Sequence, residues 1–70
     1  MESKNTKEIG DKIKQLRQKQ GLTQEALALK CAMPYTTLTK IESNAITRPS
    51  IQTVTKIAEG LRVSIDELVK

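Results

Sequence analysis

Apolar residues recur every three or four positions along nearly the whole chain, and only short turn signals interrupt them. Ile9, Ile13 and Leu16 form one such series; Leu27, Ala28 and Cys31 form a second, and Leu38 with Ile41 a third. Ile51, Val54, Ile57, Ala58 and Leu61 make the longest. This is the period of a helix face, not the alternation of a strand, so the chain is expected to be all-α with no strand candidate. At 70 residues it has room for one domain and one modest core. With one Tyr and neither Phe nor Trp, that core must come from Ile, Leu, Val, Ala and Met.

The punctuation places five helices. The first runs over 6–20 and stops at Gly21 and Leu22. Thr23 caps a short second helix, with Glu25 in its first turn, ending near Ala32. Met33 and Leu38 are spaced as a hydrophobic staple around a start at Pro34 or Tyr35, giving a third helix over 35–43. Asn44 and Pro49 bound the longest internal loop, and Ser50 caps the fourth helix. Ser64 with Glu67 reads as a capping box, and Val63 with Leu68 as its staple, opening the fifth. One domain over 6–70 follows a loose tail over 1–5.

The formal charge is +4, and Lys4, Lys7, Lys12, Lys14, Arg17 and Lys19 crowd the first twenty residues, whereas the part after Pro49 is balanced. This asymmetry favours a polyanionic partner. The longest apolar run is the four residues from Ala26 to Leu29, far short of the roughly 20 that span a bilayer. A soluble, cytoplasmic protein with no membrane partner is therefore expected. Cys31 is the only cysteine and there is no histidine, which excludes an intramolecular disulfide and a soft-ligand metal cluster. Cys31 reads as a small core residue. The chain has no Gly-rich phosphate loop, and its acids are scattered rather than paired. Neither catalysis nor a cofactor is expected.

Removing the inward positions Leu38, Ile41 and Glu42 from the third helix leaves Tyr35, Thr36, Thr39, Lys40 and Ser43 on one face. Each of these side chains can donate a hydrogen bond and none is acidic, as a helix lying among base edges and phosphates requires. A solvated polar face of a core helix would look the same, so context decides. The context is two short helices joined by three or four residues, the arrangement of a helix-turn-helix.

The run Leu22-Thr23-Gln24-Glu25 with Leu27-Ala28 is followed by Thr37-Leu38, Ile41-Glu42 and Asn44. Pro49-Ser50-Ile51, Ile57-Ala58, Leu61 and 63–68 complete a pattern that resembles the Xre or phage Cro and repressor type of helix-turn-helix regulator. The resemblance spans about 9–69 and implies a five-helix, lambda-repressor-like domain with its helix-turn-helix at helices two and three. Carried over by position, it implies that Tyr35 and Thr36 meet bases first, with Thr39 and Lys40 a turn further on. Gln24 would contact phosphate and brace the recognition helix, while Thr37, Asn44, Thr47 and Arg48 would hold the DNA backbone. By geometry, Lys40 suits guanine acceptors, and Thr36 or Thr39 suits a thymine methyl.

Arg17 and Glu42 lie beside core faces, where an unpaired charge is costly. The family pairs these positions in a partly buried ion pair between helix one and the end of helix three. Four residues depart from the family pattern: Ala32 and Arg62 replace glycines, Pro34 replaces a capping Ser, and Leu29 replaces a polar residue. A left-handed Ala32 or Arg62 would cost about 1–2 kcal/mol, Pro34 would serve as the first helical residue, and Leu29 would be exposed.

Ile65, Leu68 and Val69 exceed what a one-turn helix needs to anchor itself, so they are expected at or near a subunit interface. The function expected is sequence-specific binding of double-stranded DNA by a homodimer on a pseudopalindromic operator, making the protein a repressor, or an activator where it also contacts polymerase. The competing class is a protein-interaction module: an antitoxin that binds a toxin and its own promoter, or a helical adaptor.

Overall fold

The computed structural model describes residues 9–69, Val69 by its backbone alone. The tail expected over 1–5 and the start of the first helix at 6–8 lie outside the described residues. Five helices follow one another: α1 (Ile9–Lys19), α2 (Gln24–Lys30), α3 (Tyr35–Glu42), α4 (Ile51–Leu61) and α5 (Ile65–Val69). There is no strand among the described residues, and no helix of the structure is long and apolar enough to cross a membrane.

The predicted faces pack on one core. Ile13, Leu27, Leu38, Ile41, Ile57 and Leu61 are almost completely buried, and each such side chain stabilises the fold by about 1.5–3 kcal/mol of transfer free energy. α3 lies against α1 and α2, while α4 packs on α1, α2 and α5. Cys31 is buried with its sulfur directed at the Ile57 carbonyl oxygen, and burial raises its thiol pKa. A Cβ on Gly60 would strike that sulfur, which is why α4 can approach the end of α2. Leu29 stands out in solvent, 83% exposed, as expected of a lone apolar residue on an outer face.

The caps explain most of the boundaries. The Thr23 hydroxyl accepts from the Ala26 N–H (3.0 Å), and the Ser50 hydroxyl from the Thr53 N–H (3.2 Å). Two expectations need correction. Pro34 is not the first helical residue: with φ −64° and ψ 141° it is extended and occupies the N-cap of α3, where it has no side-chain acceptor to offer. The first turn of α5 closes through the Glu67 N–H donating to the Ser64 carbonyl oxygen (3.1 Å) rather than through the side-chain capping box.

A third correction concerns Leu68, expected at a subunit interface. It is 1% exposed and belongs to the chain's own core, because α5 lies across α1 and α4 and its inward residue fills the space between them. Ile65 is half-buried against the same core, and the side chain of Val69 lies outside the described residues.

All four internal helix ends use one backbone device, a left-handed residue followed by a bond back to the last turn. Leu22 N–H donates to Arg17 O, Met33 to Ala28 O, Ala45 to Lys40 O and Val63 to Ala58 O, at 2.9–3.1 Å. The left-handed residues are Gly21, Ala32, Asn44 and Arg62, with φ between 55° and 72°. Only one is glycine, so Ala32 and Arg62 carry the steric cost of a Cβ in that region. Ala32→Gly and Arg62→Gly are each expected to stabilise the fold by about 1 kcal/mol after allowing for the greater freedom of glycine when unfolded. Thermal melts should rise by roughly 4–8 °C per substitution; an unchanged or lower midpoint would mean that the left-handed turns are relaxed already.

Candidate nucleic-acid interface

The third helix is held from one side only. Leu38, Ile41 and Glu42 point inward, and α1 crosses the C-terminal half of α3 so closely that a Cβ on Gly10 would run into the Ile41 carbonyl oxygen. The role of Gly10 was not legible in the sequence, where it stands as a single glycine inside a helical period.

The two charges on core faces meet. Arg17 Nε donates to Glu42 Oε2 at 2.8 Å, with the residues 8% and 4% exposed. Arg17 Nη1 also donates to the Leu22 carbonyl oxygen (2.7 Å), and Gln24 Nε2 donates to Glu42 Oε1 (3.1 Å). Both carboxylate oxygens are thus engaged, and the first residue of α2 is tied to the last of α3. This network joins α1, the turn after it, α2 and α3 into one unit and fixes the angle between the two short helices. Gln24 is half-buried, with its amide directed into the network.

The opposite side of α3 is open. Tyr35 is 46% exposed, Thr36, Lys40 and Ser43 are exposed, and Thr39 is half-buried. The only carboxylate on α3 is that of Glu42, which is buried and paired, so the outward face carries the positive charge of Lys40 alone. Thr47 and Arg48 are exposed on the loop beyond, and Thr37 is half-buried. Asn44 sits apart from these: its amide nitrogen donates to Asp11 Oδ1 (3.2 Å), tying the end of α3 to α1, and its carbonyl oxygen is buried without a partner. The structure therefore brings Tyr35, Thr36, Thr39 and Lys40 onto one face, sets Gln24 at the junction of α2 and α3, and turns Asn44 inward.

The model of the helix-turn-helix family matches residues 13–68, from the middle of α1 into α5. The chain belongs to the helix-turn-helix family. In helix-turn-helix terms α2 and α3 are its two short helices, and Ala32 supplies the left-handed residue of the turn between them. The chain is 39% identical over 61 residues to the HTH-type transcriptional regulator SinR of Bacillus subtilis (strain 168), a match covering 87% of this chain and 55% of SinR. It thus spans about half the length of the curated relatives it matches. A crystal structure of SinR, described as the master regulator for biofilm formation, in complex with DNA superimposes with a TM-score of 0.85. That match is 39% identical and covers 89% of this chain and 98% of the other. The wild-type restriction-modification controller protein C.Esp1396I superimposes at a TM-score of 0.79 with 32% identity, over 97% of this chain and 90% of that one.

Proposed function

We propose that this chain is a DNA-binding transcriptional regulator that inserts α3 into the major groove and acts as a repressor from a pseudopalindromic operator. The observation that carries this reading is the exposed, carboxylate-free side of α3, held at a fixed angle to α2 by the Arg17, Glu42 and Gln24 network. A face kept clear of negative charge suits contact with a phosphate-lined groove. SinR, of the same fold, has been solved bound to DNA.

In this reading Tyr35, Thr36, Thr39 and Lys40 face bases, and Thr37, Thr47 and Arg48 meet the backbone, with Gln24 reaching phosphate from the α2 start. Asn44 acts indirectly, by pinning the end of α3 to Asp11. Residues 6–70 form the domain, and two copies paired near α5, through Ile65 and Val69, would meet half-sites about 34 Å apart. No enzymatic role or cofactor enters this reading. Occupying a promoter is enough for repression.

The test is a salt titration of binding to random duplex and to DNA upstream of the protein's own gene. The logarithm of the affinity should fall linearly with the logarithm of the salt concentration. Lys40→Ala and Tyr35→Ala should each weaken the preference for the specific site by about tenfold per half-site, the worth of one good base contact. A salt-independent response, with tight binding instead to the product of a neighbouring gene, would replace this reading with the interaction module.

A further inference from the structure

We infer that Thr39 reads a thymine through its methyl group, and not a base edge through its hydroxyl. The inference rests on the DNA-binding reading above and concerns what one residue of that face can do. Sequence alone leaves Thr36 and Thr39 equivalent, because each carries a donor, an acceptor and a methyl.

The structure separates them. Thr39 Oγ1 donates its single proton to the Thr36 carbonyl oxygen at 2.8 Å, and Ser43 Oγ likewise donates to the Lys40 carbonyl oxygen at 3.2 Å. The Thr36 hydroxyl, the Tyr35 hydroxyl and the Lys40 ammonium have no partner among the described residues. To donate to a base, Thr39 would have to break a good bond in order to make another, and such an exchange yields little net free energy. That bond also fixes χ1, and in a β-branched residue fixing the hydroxyl fixes the methyl. What Thr39 can offer a base without rearrangement is therefore the methyl and an acceptor lone pair. Thymine's C5-methyl is the apolar group that a base pair presents in the major groove, and thymine O4 has no proton to give. An adenine N6 or cytosine N4 amino group donating to the lone pair is the competing contact, which Thr39→Val abolishes while keeping a methyl. Thr39 is thus a specificity-determining residue by apolar contact, while Tyr35, Thr36 and Lys40 keep the donor roles.

The experiment uses the full chain and a duplex selected by it from a random pool. Each thymine of that duplex is replaced in turn by deoxyuridine, which removes the methyl and leaves every hydrogen-bonding atom. Dissociation constants are measured for wild type, Thr39→Val and Thr39→Ser. Burial of one methyl predicts about a fourfold weakening at one thymine per half-site for wild type. Thr39→Val should bind as tightly as wild type and keep that penalty. Thr39→Ser, which removes the contact from both half-sites, should bind the thymine duplex about fifteenfold more weakly and be indifferent to deoxyuridine at the same position. If Thr39→Val loses as much as Thr39→Ser, or if no deoxyuridine weakens a wild-type protein that binds its selected duplex, the methyl contact is overturned while DNA reading stands. If no duplex is selected at all, the DNA-binding reading falls, and this inference with it.

Discussion

Glu42→Ala is expected to lower the stability of the fold by about 3–5 kcal/mol, the usual consequence of leaving one member of a buried ion pair alone. Arg17, 8% exposed, would keep only the Leu22 carbonyl oxygen as a partner, and the Gln24 amide would lose the acceptor it now has in Glu42 Oε1. A 70-residue chain has a total stability of roughly 4–10 kcal/mol at typical values per residue, so the loss would remove about a third of it at the upper end and nearly all of it at the lower end. By circular dichroism the midpoint should drop by about 12 °C or more. Two further variants separate the charge from the packing. Glu42→Gln keeps an acceptor for Gln24 and should lose less, while replacing Arg17 by Met together with Glu42 by Leu removes both charges and should recover most of the stability. A Glu42→Ala midpoint within 2–3 °C of wild type, on the same scale, would show that the pair is not structurally important.

Local signals carried most of the fold in the sequence. Thr23 and Ser50 both act as predicted, because an N-cap bond spans three residues and needs nothing from the rest of the chain. Ala32 and Arg62 marked themselves by standing where the family keeps glycine, and both take left-handed backbone. Legibility failed where tertiary contact decided the outcome. Leu68 looked surplus to a one-turn helix, yet the crossing of α5 over α1 and α4 takes it into the core, and no period within five residues reveals that crossing. The Gln24 partner was hidden for a similar reason. Arg17 takes Oε2 of Glu42 and leaves Oε1 to the start of α2, and the residues involved are 25 and 18 positions apart. The face of α3 was legible as a list of residues but not as a set of roles, since the bonds from Thr39 and Ser43 to their own helix appear only in the folded structure.

Gly10→Ala pits local propensity against tertiary fit. Inside a helix alanine is favoured over glycine by about 0.5–1 kcal/mol, so a reading of α1 alone predicts a gain. The structure predicts a loss of about 3 kcal/mol, at the upper end for overpacking. The added Cβ would collide with the Ile41 carbonyl oxygen and lie 2.6 Å from Asn44 Oδ1. A side-chain end can swing aside, but the Ile41 carbonyl is backbone of the last turn of α3 and cannot turn without losing the bond it accepts from the Asn44 N–H. α1 and α3 must therefore separate. Gly21→Ala is the useful contrast, because at φ 72° with open space around it only the left-handed backbone resists a Cβ, at about 1–2 kcal/mol. Urea melts of the two variants should rank Gly10→Ala below Gly21→Ala, and a Gly10→Ala variant as stable as wild type would show that α1 and α3 do not approach this closely. Separation of these helices would also stretch the Arg17 to Glu42 bond and release the end of α3 from Asp11. Under the proposed function, the Gly10→Ala protein that remains folded should then bind DNA more weakly than its folded fraction accounts for.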